Sequence, residues 1–214
     1  MSSPPERVPT AGIQQTYTAG ARRLAARSIG GLARTRITPN VLTASGVTLC
    51  AVASVVVYFE YRHELLCFWL GAVLFVIGSI LDILDGALAR AGGKQTPFGA
   101  FLDSTTDRIS EGFVLGAIAL VFHRDGNEVA LAFTIAAVAG SFLVSYTRAR
   151  AEALGLKGDV GIGSRAERVV VITAGLVLAP WGVLPWAIYL LTATAWFTVL
   201  QRVISVRTQL RIRT

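Results

Sequence analysis

Four aspartates stand where an apolar sequence should have none. Asp82 and Asp85 are three residues apart, and Asp103 and Asp107 are four apart, so on helices each pair shares a face. Glu111 follows one turn later, and Gly86, Ala89 and Gly99 supply small neighbours that let helices and a ligand approach. Carboxylates inside a bilayer are costly and mark function. Acids converging from two helices would repel unless a cation neutralised them, and oxygen ligands of this type suit Mg²⁺ or Mn²⁺. Two such ions bridged by aspartates form a recurrent clamp for in-line displacement at phosphorus. Arg90, one turn past Gly86, could grip a diphosphate oxygen with its fork of donors. Intramembrane carboxylates also mark ion pathways, so a divalent-cation carrier is the competing class.

The elements that must position these residues follow from composition. Of 214 residues, 53% are hydrophobic and 15% charged, and the mean hydropathy is +0.59. A soluble domain carries about 25% charged residues, so lipid is the expected solvent. Six apolar runs are legible: 41–59, 66–89, 98–122, 129–146, 169–178 and 186–203. At roughly 20 residues per span, six spans leave no room for a second domain. The expected fold is an all-α integral membrane bundle of six transmembrane helices with an N-terminal amphipathic interfacial helix. Residues 1–12 read as a flexible N-terminus, 13–37 as the amphipathic juxtamembrane helix, 38–206 as the six-helix domain and 207–214 as a basic tail.

Charge sorts by side. The net charge is +7, with arginines gathered before the first span and after the last. Further cations lie between spans two and three and between spans four and five, whereas the connections 60–64 and 123–128 are slightly acidic. This asymmetry predicts a multi-pass protein of the cell membrane with both termini and the acid cluster on the cytoplasmic side. It also excludes nucleic acid as a partner, because no folded polar basic surface is available. Cys50 and Cys67 lie singly in apolar runs and read as small hydrophobes rather than a disulfide or zinc site. Gly158, Gly161 and Gly163 follow no strand and read as a flexible turn, not a dinucleotide fingerprint.

The run Asp82-x2-Asp85-Gly86-x2-Ala89-Arg90-x8-Gly99-x3-Asp103-x3-Asp107 resembles the complete signature of the CDP-alcohol phosphotransferase family. The resemblance implies a six-helix membrane enzyme, usually a homodimer, that moves a phosphatidyl-type group from a CDP-linked lipid to an alcohol and releases CMP. It implies that Asp82, Asp85, Asp103 and Asp107 ligate two metal ions, with Asp107 also the general base. It assigns Thr38, Pro39, Asn40, Val41, Gly86, Arg90 and Thr96 to the CDP part, although some relatives carry Asp at the place of Asn40. A carrier has no use for Gly86, Arg90 and Thr96, which disfavours that class.

The connection 146–168 bears on the acceptor. Its cations would border the cytoplasmic mouth, where an anionic, water-soluble acceptor enters, and arginine forks suit phosphate. The stretch resembles that of the inositol-phosphate-using branch of the family. The resemblance implies Arg148, Lys157, Ser164, Arg165 and Arg168 as acceptor-phosphate contacts. The expected substrates are therefore CDP-diacylglycerol, or a CDP-archaeol analogue, and inositol 1-phosphate. Glycerol 3-phosphate remains the alternative acceptor, because it needs a phosphate pocket too.

Overall fold

The computed structural model describes residues 39–91 and 96–213, and the expected segments 1–12 and 13–37 lie outside them. The described residues form six long helices and no strand. They are α1 (Pro39–Tyr58), α2 (Glu64–Ala91), α3 (Pro97–Arg124), α4 (Glu128–Ala153), α5 (Arg165–Val177) and α6 (Leu184–Arg213). Short 3-10 turns, Glu60–Arg62 and Ala179–Trp181, join α1 to α2 and α5 to α6. In the second, Pro180 ends one helix and Gly182, at φ +75°, reverses the chain.

The outer surface is the apolar one. Val55, Leu66, Ile83, Ile135, Leu190 and Ile204 are all exposed. Water would not tolerate such a surface, and lipid requires it. The interior holds Phe75, Leu115, Ile118, Ile172, Leu176 and Leu191. Among the described residues, four helices are long and apolar enough to cross a membrane: the segments Asn40–Tyr58, Glu64–Ala89, Glu128–Ala153 and Leu184–Ile212. The protein is thus a multi-pass membrane protein. The remaining two helices depart from that standard for visible reasons. α3 carries Asp103, Asp107, Arg108 and Glu111, and α5 has 13 residues, or about 20 Å at 1.5 Å per residue.

Three boundaries differ from the sequence expectation. α4 runs beyond Tyr146 through Thr147–Ala153, because Ala, Arg and Glu are strong helix formers and Arg148 pairs with Glu152 at i, i+4, 2.9 Å apart. α5 begins at Arg165, before its apolar run, because Ser164 and Glu167 close a capping box there. The basic residues Arg207 and Arg211 extend α6 as helix.

The closest backbone approach joins α1 and α2. A Cβ at Gly46 would lie 2.8 Å from the carbonyl oxygen of Gly78, and one at Gly78 would lie 2.7 Å from Cys50 Sγ. Glycine at both positions brings the helices into contact one turn before Asp82. At the opposite end of the bundle, Arg124 donates to the Tyr58 carbonyl at 3.0 Å and pairs with Glu60. Its guanidinium also lies 4.7 Å from the centre of the Tyr61 ring. Burial pushes the Glu60 carboxyl up, and Arg124 opposes that effect.

Candidate active site

α2 and α3 deliver the acids to one place. Carboxylate oxygens of Asp82, Asp85 and Asp103 all lie within 4.8 Å of one another, with Asp82 and Asp85 buried and Asp103 more open. Asp107, one turn along α3, is partly buried beside them. Asp82 and Asp107 share a single cation, the Arg165 guanidinium from the first turn of α5. Asp85 accepts a hydrogen bond from the Thr43 hydroxyl on α1. The second oxygens of Asp82 and Asp85 are buried and accept no hydrogen bond. Buried carboxylate oxygens without a donor are rare and call for an explanation. A hard divalent cation supplies it, since three convergent carboxylates are the donor set such ions take.

α3 starts less than two turns before Asp103. Thr96 is its N-cap, accepting from the Gly99 backbone N–H at 2.9 Å, and Pro97 fills the first helical position. The exposed backbone amides of such a terminus suit phosphate oxygens. Asn40 and Val41 are exposed at the start of α1, on the helix that also carries Thr43. Gly86 lies on α2 one residue after Asp85. Thr38 lies outside the described residues, as do the side chains of Pro39 and Arg90.

The residues expected to meet acceptor phosphate divide into three groups. Arg165 is inside the acid cluster. Arg148 and Lys157 are exposed, the former paired with Glu152 and the latter on the 154–164 connection. Ser164 and Arg168 hold that connection in shape. Ser164 caps α5. Arg168 is buried, grips Glu111 of α3 through two hydrogen bonds of 2.8 and 2.9 Å, and donates to the Gly163 carbonyl at 2.9 Å.

The glycine-rich stretch is not a flexible turn but a tightly packed one. Gly163 N–H donates to Thr198 Oγ1 at 2.9 Å. A Cβ at Gly161, whose φ is +127°, would meet Thr198 Cγ2 at 2.4 Å. Gln209 of α6 exchanges two hydrogen bonds with the Lys157 backbone. Arg202 completes the anchorage, donating to the Val160 carbonyl at 2.8 Å and to the Val144 carbonyl. In sequence Arg202 counts only as one of the arginines gathered after the last span, yet its place beside Val203 and Ile204 in an apolar helix is a legible signal of a structural role. Thr43 gave no such signal, since a threonine is unremarkable in any helix that crosses lipid.

Comparison with known proteins agrees with this geometry. The family model for CDP-alcohol phosphatidyltransferases matches residues 36–209. The phosphatidylinositol phosphate synthase of Mycolicibacterium smegmatis is 39% identical over 183 residues, 82% of this chain and 80% of the relative. The archaetidylinositol phosphate synthase of Pyrococcus horikoshii is 37% identical over 183 residues, 85% of this chain and 89% of the relative. A crystal structure of the Mycobacterium tuberculosis phosphatidylinositol phosphate synthase with CDP-DAG bound superposes with a TM-score of 0.76 at 31% identity, covering 86% of this chain and 94% of that one. A second structure of that enzyme, in complex with manganese and citrate, gives a TM-score of 0.75 at 32% identity and covers 86% and 89%. Signature, fold and relatives therefore converge on one conclusion: the chain belongs to the CDP-alcohol phosphatidyltransferase family.

Proposed function

We propose that this enzyme transfers a phosphatidyl group from CDP-diacylglycerol to inositol 1-phosphate, giving phosphatidylinositol phosphate and CMP. The observation that carries the reading is Arg165. It begins the helix after the basic connection, yet its guanidinium pairs with Asp82 and Asp107 in the acid cluster. A phosphate-seeking cation and a carboxylate able to take a proton thus stand side by side. That pairing suits a phosphorylated alcohol, and the names of the relatives point the same way.

Asp82, Asp85, Asp103 and Asp107 would hold two Mg²⁺ ions, with Mn²⁺ the alternative. When bound, the ions neutralise the diphosphate and polarise the phosphorus under attack. Asn40 and Val41, with Thr38, Pro39, Gly86, Arg90 and Thr96, hold the CDP part and orient its diphosphate. Arg165, Arg148 and Lys157 draw in the acceptor's phosphate, on a turn that Ser164 and Arg168 keep in shape. Asp107 takes the proton of the attacking hydroxyl. The hydroxyl oxygen bonds to the phosphorus that bears diacylglycerol. The bond from that phosphorus to the bridging oxygen breaks, and CMP leaves with the electron pair.

In this reading all six helices belong to the transmembrane bundle of the 38–206 domain. Both termini and the active site face the cytoplasm, an amphipathic helix over 13–37 lies along the interface, residues 207–214 meet the cytoplasmic headgroups and two copies form a homodimer. The archaeal relative keeps a CDP-archaeol donor as a second reading. A panel of acceptors tests the assignment. Purified protein with CDP-diacylglycerol should release CMP with inositol 1-phosphate and not with unphosphorylated inositol. CMP release with glycerol 3-phosphate alone would replace the acceptor.

A further inference from the structure

A ligand carboxylate is only as well placed as whatever holds its other oxygen. Asp85 belongs to the convergent triad, and one of its oxygens is buried with no hydrogen bond. The other accepts from Thr43 Oγ1 on α1, a helix that gives the cluster no carboxylate of its own. Thr43 is itself buried. Its reach across to α2 depends on the glycine crossing. Gly46 lies one turn after Thr43, and a Cβ there would sit 2.8 Å from the Gly78 oxygen and 3.6 Å from Asp82 Cβ. Any larger residue would move α1 away from α2 and draw the hydroxyl off the carboxylate.

We propose that Thr43 is a positioning residue for the metal ligand Asp85. Its hydroxyl ties down one carboxylate oxygen and turns the other into the cluster, with the Gly46–Gly78 contact setting the distance. A carboxylate on a helix can rotate about χ1 and χ2, and a buried donor on a neighbouring helix removes that freedom. Partners of this type, one step outside the ligands, typically change metal affinity about ten- to hundredfold when removed. The proposal rests on the metal-binding reading of the aspartates.

The test is Mn²⁺ binding to the purified full-length protein without nucleotide or acceptor, followed by the loss of the free-ion electron paramagnetic resonance signal. Thr43→Ser keeps the hydroxyl, whereas Thr43→Ala and the size-matched Thr43→Val remove it. The expected result is a Kd for Thr43→Ser like that of the unsubstituted protein, with Thr43→Ala and Thr43→Val weaker by about ten- to hundredfold. Either hydroxyl-free variant suffices if the other does not fold. Equal Mn²⁺ affinity in Thr43→Ser and the hydroxyl-free variants would overturn the proposal while leaving the metal site intact. No saturable Mn²⁺ binding in the unsubstituted protein would overturn the metal reading itself, and the proposal with it.

Discussion

Replacing Asp107 with Asn should lower the turnover of CDP-diacylglycerol with inositol 1-phosphate by about a hundred- to ten-thousandfold, the range that general-base catalysis supplies. The substitution preserves shape and removes the proposed proton acceptor. It also removes one of the two carboxylates paired with Arg165, leaving Asp82 as the other. The remaining aspartates still offer the triad of oxygens within 4.8 Å, so Mn²⁺ binding should survive at reduced affinity. CMP formation with saturating substrates and binding of Mn²⁺ separate the two roles. A rate close to that of the unsubstituted protein would remove Asp107 from the chemistry.

The second large effect concerns stability. Glu111 and Arg168 form a buried pair between α3 and α5, with side-chain exposures of 8% and 7%. Arg168→Ala strands a carboxylate in the bundle, and breaking such a pair from one side costs about 3–5 kcal/mol. It also frees the Gly163 carbonyl, loosening the turn that leads into α5 and Arg165. Thermal unfolding of the detergent-solubilised protein should show a large drop in Tm for Arg168→Ala. The paired change Glu111→Met with Arg168→Met removes both charges and should recover most of that stability, because well-packed hydrophobic replacements of a buried pair are often neutral. Activity should not return with it, because Met cannot hold the Gly163 carbonyl. A single variant as stable as the unsubstituted protein would show that the bracket does not hold α5 in place.

Most of the architecture was legible because apolar runs and turn residues report their own geometry. The six runs correspond to the six helices, with Pro180 in the turn that joins α5 to α6 and Pro185 in the first turn of α6. The boundaries around the 146–168 connection moved, because Arg148, Arg150 and Glu152 are polar yet excellent helix formers. The capping box at Ser164 and Glu167 was written in the sequence, but Ser164 read equally well as an acceptor contact.

The acid cluster was legible for a different reason. Charge in lipid is costly enough that spacing alone conveys purpose. What spacing cannot convey is partnership between distant segments. Nothing local to Arg165 and Arg168 says that one enters the acid cluster while the other, three residues on, is fastened to Glu111. Nor does Gly161 reveal in sequence that a side chain there would meet Thr198, 37 residues further along. These facts belong to the packing of α5 and α6 against the rest.

The central claim is that the aspartates use a divalent cation to move a phosphatidyl group onto a phosphorylated alcohol. Its most direct measurement is CMP formation by purified protein stripped with a chelator, then titrated with Mg²⁺ or Mn²⁺ in the presence of CDP-diacylglycerol and inositol 1-phosphate. The account predicts no CMP before cation is added and saturable recovery afterwards, with one phosphatidylinositol phosphate formed for each CMP. An undiminished rate in the stripped protein, or cation flux through vesicles in the absence of CDP-diacylglycerol and without CMP release on its addition, would contradict it.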